Sequence, residues 1–486
     1  MVGWIKKQSH WVAFLTGILL AFAVYAFNPF ALGPEACKAV SMAVLMITWW
    51  VTEALPMPMV ALIPLVLNPL LGLNTLEKTA TAYGNPVIFL FMGGFMIGLA
   101  IEKWGLHKRI ALSIVKRTGT SGDRIILGFI LATGFLSMWL SNTATTMMMF
   151  PIAMSVITVM KDQRNQQGSL ANFSLVLMLV IAYASNIGGM GTIIGTPPNV
   201  AFVGIIQKQY GYTVPFLDWM LLCMPLVIIL LVMLFLVLTK WLFPNRIKSN
   251  PEIHQHILQQ VKSMGKLGKG ERRVLVIFLF TALLWITKDL INKTGKIQLS
   301  DEMIAVIGAL ALFTVPSGER QEGRMRMLLD WTDTSRMAWG ILLLFGGGIA
   351  MAGALEKAGV ISQIGNWLAG FGQSGGFTLI LVIVFISIFL SEVMSNVAQV
   401  IVMAPVLAAM ANALKMDPLL LGMPMTLAAS AASMMPMGTP PNAIVFGSGF
   451  IKMKDMIKAG FVMNLVSIII IALFAWFLLP LIMSLH

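Results

Sequence analysis

Small polar side chains occur in two clusters within an otherwise apolar chain, and their chemistry is that of oxygen ligands. The residues are Ser137, Ser141, Asn142, Ser391, Ser395 and Asn396. Hydroxyl and amide oxygens, together with backbone carbonyls freed from a helix, coordinate sodium in transporters that contain unwound helices. The two clusters therefore predict oxygen-lined cation sites.

The two clusters belong to an internal repeat. A shift of 254 residues carries the Ser-Asn dipeptide at 141–142 onto the one at 395–396, and the same register holds without a gap from Phe91 to Pro151. A second motif, Gly-Thr-Pro-Pro-Asn, occurs at 195–199 and again at 438–442. Polar segments interrupted by Pro and Gly at matching positions of two halves are typical of a transporter's binding site.

The polar segments contain no fixed cationic side chain. Lys, Arg and His are absent from residues 125–160, 165–207, 358–414 and 416–451. The only carboxylates in these segments are Glu392 and Asp417. A bound anion would therefore be held by hydroxyls, amides and the positive ends of half-helices, and bound cations would supply the remaining charge. Glu392 is expected to be hydrogen-bonded in a structural role, because an unpaired charge is costly at bilayer depth.

The composition predicts an all-α polytopic membrane protein. Hydrophobic residues make up 58% of the chain and charged residues only 11%, which is typical of a chain that lies mostly in lipid. The net charge of +13 is expected to reflect basic residues in short loops, not nucleic-acid binding. An enzyme is not expected, because no His, Cys or carboxylate pair converges on the polar segments to act as a nucleophile or base.

Apolar runs of roughly 20 residues predict about eleven spanning helices and two re-entrant hairpins. The ordinary helices are predicted near 11–29, 39–54, 58–74, 84–101, 215–243, 273–291, 302–316, 338–355 and 457–484. The hairpins are predicted at about 125–160 and 376–412. Each hairpin precedes a helix broken by a Pro-Pro pair, at about 172–207 and 416–449, because proline removes a backbone donor and ends a helix.

The chain is predicted to consist of two inverted repeats. The first half covers residues 1–243, the second covers 273–486, and a polar cytoplasmic linker at 244–272 joins them. Most Lys and Arg residues lie in the segments that would then face the cytoplasm. By the positive-inside rule, this predicts a multi-pass protein of the inner (plasma) membrane with its N-terminus in the cytoplasm and its C-terminus outside.

These motifs together resemble those of the divalent anion/sodium symporters, a family that carries dicarboxylates, citrate or sulfate. The resemblance extends over nearly the whole chain. It rests on Trp-Val-Thr-Glu-Ala at 50–54, Ser-Asn-Thr at 141–143, the partial repeat at 395–397, the two Gly-Thr-Pro-Pro-Asn motifs, and Phe-Gly-Gly-Gly at 345–348. It implies a homodimer in the lipid bilayer, in which each subunit has a scaffold domain and a transport domain that moves as an elevator.

The resemblance also implies a function and its residues. The function would be sodium-coupled uptake of C4-dicarboxylates such as succinate, malate and fumarate. One sodium site would use Ser137, Ser141, Asn142 and Gly189, and the other would use Ser391, Asn396 and Gly438. The substrate would meet Asn142, Thr143, Ser395, Asn396, Val397, Thr439 and Pro440. Val397 departs from the family pattern, which usually has Thr at this position, so one hydroxyl is missing.

Other transport modes remain open on the sequence alone. The same fold would support exchange of one dicarboxylate for another without sodium coupling. Sodium-coupled carriage of citrate or sulfate, or an anion channel, would also be compatible with polar hairpins and helix dipoles.

Overall fold

The computed structural model of the protein is almost entirely helical. It describes residues 2–119, 121–161, 167–245, 247, 251–295, 297–321, 324–369 and 376–483. Within these ranges, eight helices are long and apolar enough to cross a membrane. Five of them overlap the predicted segments 84–101, 215–243, 273–291, 338–355 and 457–484. The prediction of an all-α polytopic membrane protein is confirmed.

The described residues of the first half form twelve α-helices. They are α1 (Val2–Phe27), α2 (Pro34–Thr52), α3 (Met57–Val60), α4 (Ile63–Leu70), α5 (Leu76–Ala80), α6 (Pro86–Lys103), α7 (Leu106–Thr118), α8 (Gly122–Ser137), α9 (Asn142–Lys161), α10 (Gln167–Gly189), α11 (Pro197–Tyr210) and α12 (Phe216–Leu236). A short 3-10 turn, Thr81–Gly84, precedes α6, and a π-helical turn, Val237–Leu242, extends α12.

The second half follows a connecting helix, α13 (Pro251–Ser263). Its elements are α14 (Lys269–Asn292), α15 (Asp301–Thr314), β1 (Pro316–Gln321), β2 (Arg324–Met327), α16 (Trp339–Lys357), α17 (Val360–Ala369), α18 (Gly376–Ser391), α19 (Asn396–Ala413), α20 (Pro418–Ala429), α21 (Pro440–Phe446), α22 (Met453–Leu473) and α23 (Leu479–Met483). The two strands pair antiparallel. A 3-10 turn, Trp331–Arg336, precedes α16, and a π-helical turn, Phe474–Leu478, extends α22.

The helices break where the sequence places its polar motifs. Residues 138–141 separate α8 from α9, and residues 392–395 separate α18 from α19. Residues 190–196, between α10 and α11, are all buried, as non-helical backbone at membrane depth must be. A longer break at 430–439 precedes α21, and both α11 and α21 begin with prolines at their first positions, where the missing N–H is not needed.

The two halves interlock around these breaks. Within each half, the first arm of the hairpin packs on the broken helix, so that α8 contacts α10 and α18 contacts α20. Between the halves, α9 contacts α21 and α19 contacts α11. Each hairpin therefore packs against the short helix of the other half, and polar residues from both halves meet in the centre.

Apolar side chains cover the outer surface. Leu279, Phe280 and Leu283 on α14 are 54%, 55% and 54% exposed. Large apolar side chains exposed on a long apolar helix are expected to face lipid tails, which solvate them as well as a protein interior does.

Three segments differ in detail from the sequence-based prediction. The predicted helix at 58–74 is instead two short helices, α3 and α4, because Pro64 starts a new helix at Ile63 and has no N–H to continue the preceding one. The polar segment 244–272 contains α13 and the first turn of α14. The connection after α15 contains the two-stranded sheet.

Candidate functional site

The tip of the first hairpin brings a serine, an asparagine and a glycine together. The buried Ser137 hydroxyl donates to Asn142 Oδ1 at 2.8 Å. Gly189, at the end of α10, lies so close to this amide that a Cβ atom at position 189 would collide with Asn142 Oδ1. Its carbonyl oxygen accepts a hydrogen bond of 3.1 Å from Asn199. Three of the four residues expected at the first sodium site are thus in contact.

Ser141, the fourth residue, also caps a helix. Its hydroxyl oxygen accepts a hydrogen bond of 3.2 Å from the backbone N–H of Ala144. This contact caps the first turn of α9, whose leading N–H groups have no partner within the helix. Ser141 therefore fixes the start of the helix that carries Asn142.

The tip of the second hairpin has a denser group of oxygens. The Ser391 hydroxyl lies 2.6 Å from Asn396 Oδ1 and 2.6 Å from the Ala429 carbonyl oxygen at the end of α20. A serine hydroxyl carries one proton, so it can donate to only one of these oxygens at a time. Three oxygens thus converge with a single proton among them, which is an environment that favours a small cation.

Glu392 joins the second hairpin to the unwound segment after α20. Its carboxylate accepts hydrogen bonds of 2.8 Å from the backbone N–H groups of Ser433, Met434 and Met435. Asn464 on α22 donates a further one at 2.7 Å. Glu392 is 4% exposed, and its hydrogen bonds agree with the expected structural role. Buried carboxylates need such partners.

Gly438 lies against the same carboxylate. A Cβ atom at this position would lie 3.0 Å from Glu392 Oε2 and 3.6 Å from the Glu392 Cα atom. The glycine thus lets the breaker of the second half approach the residue next to Ser391. Glycine is the residue that allows such close backbone approach.

The residues expected to meet the substrate lie around these tips. Thr439 is buried, and its hydroxyl oxygen accepts a hydrogen bond of 3.0 Å from Asn186 Nδ2. Thr143, Ser395 and Val397 are half-buried in the first turns of α9 and α19 or just before them, and Pro440 is exposed. Both hairpin tips thus present helix N-termini, which carry partial positive charge.

Sequence reasoning missed Asn186, which links the two halves. Its side-chain oxygen accepts a long hydrogen bond of 3.4 Å from Asn142, and its amide donates to Thr439. Asn142 also approaches the Thr196 hydroxyl at 3.5 Å. The available signal was a Ser-Asn dipeptide at 185–186 in an apolar segment, which lies outside the repeat register.

The breaker asparagines, Asn199 and Asn442, behave alike in the two halves. Asn199 Nδ2 donates to the carbonyls of Gly189 and Thr192, and Asn442 Nδ2 donates to the carbonyl of Met435. Both hold an unwound segment to the helix that follows it. The Oδ1 atom of each is buried without a hydrogen-bond partner, which adds one free acceptor oxygen per half.

Apart from the hydrogen-bonded carboxylate of Glu392, the oxygens around the tips are neutral. In the described part of the chain, no group of three or more His, Cys, Asp or Glu side chains converges. Hydroxyl, amide and carbonyl oxygens favour hard cations over the softer transition metals.

Comparisons with known proteins agree with this chemistry. A family model described as the transmembrane region of sodium:sulfate symporters matches residues 7–484. The sodium-dependent dicarboxylate transporter SdcS of Staphylococcus saprophyticus is 37% identical over 485 residues, covering 98% of this chain and 93% of that protein. SdcS of Staphylococcus aureus strain USA300 is 37% identical over 489 residues, covering 99% of this chain and 94% of that protein.

Two solved structures share the fold at low sequence identity. The YdaH transporter of Alcanivorax borkumensis has a TM-score of 0.55 at 15% identity, and 82% of this chain and 87% of that chain are covered. MtrF of Neisseria gonorrhoeae has a TM-score of 0.57 at 14% identity, with 83% of each chain covered. The family match covers almost the whole sequence and confirms the resemblance drawn from the motifs. The chain belongs to the sodium:sulfate symporter family.

Proposed function

We propose that the protein is a secondary active transporter that couples the uptake of C4-dicarboxylates, such as succinate, malate or fumarate, to the entry of sodium. The observation that carries this proposal is the convergence of Ser391 Oγ, Asn396 Oδ1 and the Ala429 carbonyl oxygen around a single proton. The relatives at 37% identity are named sodium-dependent dicarboxylate transporters. Their names support sodium as the coupling ion.

Sodium would bind at both hairpin tips. In the second half it would use the three oxygens just named, with Gly438 close by. In the first half it would use Ser137, Asn142 and the backbone near Gly189, while Ser141 holds α9 in place. The serine hydroxyl would point its proton away from the ion, so that a lone pair of the hydroxyl oxygen coordinates the sodium.

The substrate would lie between the two tips. A dicarboxylate carries two negative charges, and the surrounding segments contain no Lys, Arg or His. Two sodium ions and the positive ends of α9 and α19 would balance that charge. Substrate binding would therefore require sodium, and sodium would gain affinity from the substrate by the same factor.

The pair Thr143 and Val397 favours a dicarboxylate over sulfate. The two residues are separated by the repeat shift of 254, so one side of the site has a hydroxyl where the other has two methyl groups. An apolar side chain fits the carbon spacer of a dicarboxylate. Sulfate is polar on every side and would gain nothing from a valine.

Transport would proceed by an elevator movement in a homodimer. The hairpins and broken helices pack on one another across the halves, which supports a common transport domain, while α2, α3 and α16 pack together and α6 packs on α15. The two groups meet where α16 contacts α11 and α19 and where α6 contacts α11. The first group would move as the transport domain, and the second would remain as the scaffold. The N-terminus would lie in the cytoplasm of the cell and the C-terminus outside the inner membrane, in agreement with the positive-inside distribution.

The experiment is uptake of labelled succinate into proteoliposomes that contain no internal substrate. An inward sodium gradient should drive accumulation, and a potassium gradient should not. Vesicles preloaded with succinate distinguish exchange, because an obligate exchanger takes up label only when a counter-substrate is present. Labelled sulfate and citrate are measured in parallel. Uptake at the same rate with and without a sodium gradient, in empty and in preloaded vesicles, would overturn the proposal.

A further inference from the structure

The internal repeat gives α6 and α16 equivalent positions, and each helix ends in a lysine. Lys103 ends α6 and Lys357 ends α16, at the repeat shift of 254 residues. Each lysine contacts the other half of the chain. Lys103, at the end of α6, contacts the turn before α16, and Lys357, at the end of α16, contacts the loop that lies before α5 and α6. In an inverted repeat, the two positions face opposite sides of the membrane.

Lys103 is fully neutralised by carboxylates. Its ammonium lies 2.6 Å from Asp333 and 3.3 Å from Asp330. Both aspartates belong to the 3-10 turn before α16, where Asp330 is the capping residue and Asp333 is the third residue of the turn. The chain itself thus supplies the negative charges that neutralise the Lys103 ammonium.

Lys357 has only neutral partners at the equivalent place. Its ammonium donates to the Leu73 carbonyl at 2.6 Å and to Asn74 Oδ1 at 3.3 Å. The short helix α5 follows, and here the capping residue is Thr75 and the third residue is a second lysine, Lys78. Where the other half has two carboxylates, this half has a hydroxyl and another ammonium.

A cavity of about 380 Å³ lies between these groups, with Asn74, Thr75, Lys78 and Lys357 in its wall. In the ranges that the structure describes, neither Lys78 nor Lys357 forms an ion pair. A third ammonium, that of Lys38, donates at 3.0 Å to the Leu71 carbonyl in the same loop. Lys78 and Lys357 are exposed at the mouth of the cavity, as is Glu77, the one acidic residue of α5, which does not line the cavity.

We propose that this cavity is a binding site for an oxyanion, a carboxylate or phosphate group, which supplies the charge that Asp330 and Asp333 supply to Lys103. Like charges in one cavity repel, and a bound anion removes that cost while accepting charge-assisted hydrogen bonds from both ammonium groups. With the orientation proposed above, the cavity opens on the outer face. The anion is either a free dianion from the medium or the phosphate of an anionic lipid headgroup.

The test measures the thermal unfolding of purified protein in sodium-free potassium buffer at constant ionic strength. Without sodium the central site does not bind its substrate, so a response reports on the lysine cavity. The probes are inorganic phosphate, succinate, and mixed micelles that contain phosphatidylglycerol or, as the neutral control, phosphatidylcholine. Two variants alter the cavity, Lys357→Gln and Lys78→Asp. The matched control is Lys293→Gln, which removes an exposed lysine at the end of α14 that does not line the cavity.

The wild type and Lys293→Gln should be stabilised by at least one anionic probe and not by phosphatidylcholine. Lys357→Gln should weaken the apparent affinity for that probe by about tenfold, the loss expected for one charge-assisted contact. Lys78→Asp should be more stable than wild type without any probe, because it recreates the carboxylate partner of the other half, and it should no longer respond to anions. A merely structural lysine would not produce that combination.

The source of the anion follows from the active probe. A response to phosphate or succinate identifies a free dianion, and a response to phosphatidylglycerol alone identifies a lipid headgroup. The proposal is overturned if no anionic probe stabilises the wild type, or if both cavity variants respond as the control does. Neither result would affect sodium-dependent uptake, so this proposal and the transport function fail independently.

Discussion

The side-chain amide of Asn186 donates a 3.0 Å hydrogen bond to the hydroxyl oxygen of Thr439, a residue 253 positions away in the other repeat. Asn186 also accepts from Asn142 at 3.4 Å. A chain of polar contacts thus runs from the first hairpin tip to the breaker of the second half. The two predicted sodium sites are therefore connected by one hydrogen-bond network, and a substitution at one site should change sodium affinity at the other.

Asn186→Ala is expected to destabilise the protein by about 1 kcal/mol, since it removes a buried hydrogen bond, and to weaken succinate binding. The measurement is a double-mutant cycle with Thr439→Val, read by thermal unfolding and by succinate affinity. The two changes should be less than additive, because both remove the same bond. Strict additivity would mean that the contact contributes nothing to the site.

Asn142→Ala and Asn396→Ala are each expected to abolish sodium-dependent uptake while leaving the protein folded. Each removes the amide oxygen that faces a serine hydroxyl at a hairpin tip. The measurement is succinate uptake under a sodium gradient, with gel filtration to check the fold. Asn172→Ala is the matched control, because its amide donates to the Pro244 carbonyl, outside the site. Uptake at the wild-type rate in either site variant would refute the assignment.

Glu392→Gln is expected to lower stability by about 2–4 kcal/mol, because one acceptor oxygen becomes an NH₂ group that faces backbone N–H donors. Thermal unfolding in detergent measures the effect. The control is Asp417→Asn, at the other carboxylate of the polar segments. Asp417 caps α20 through the Leu419 N–H at 2.8 Å, and Asn caps a helix equally well. If the two variants lose the same stability, the four hydrogen bonds of Glu392 stabilise the fold no more than the single helix cap of Asp417 does.

Val397→Thr is expected to tighten dicarboxylate affinity, because it restores a hydroxyl beside Asn396, and Thr143→Val should weaken it. A hydrogen bond to a charged group contributes about 1.5–3 kcal/mol, so each change should alter the Kd for succinate by roughly tenfold or more. Isothermal titration calorimetry at fixed sodium measures both. Threonine keeps one methyl group against the carbon spacer, so weaker binding by Val397→Thr would mean that the second methyl group contributes more than a hydroxyl at this position.

The positions of the hairpins and breaks could be predicted from the sequence because their signals are local. Proline is favoured at the first position of a helix, where Pro197 and Pro440 lie, and the Ser-Asn dipeptides of the hairpins stand out in apolar surroundings. The prediction of one helix at 58–74 was wrong for a local reason too. It rested on the hydrophobicity of the segment, which does not reflect the helix break that Pro64 causes. The presence of helices and the positions of their breaks thus depend on residues that are close together in the sequence.

The partners of the polar side chains could not be predicted, because they lie far away in the chain. Glu392 was expected to be hydrogen-bonded, but its donors, the backbone N–H groups of Ser433 to Met435, become available only because α20 ends before them in the fold. Asn186 lies in the last turn of α10, and the dipeptide is its only local signal. Neither contact has a signature in the residues adjacent to it.

The most direct test of sodium ligation at both tips is the succinate affinity of the purified protein, measured by calorimetry over a series of sodium concentrations. Two coupled ions predict that the logarithm of the affinity rises with the logarithm of the sodium concentration, with a limiting slope of about two. Asn142→Ala or Asn396→Ala should reduce that slope toward one if binding persists. Succinate binding of equal strength in sodium and potassium would contradict the sodium sites and the transport mechanism built on them.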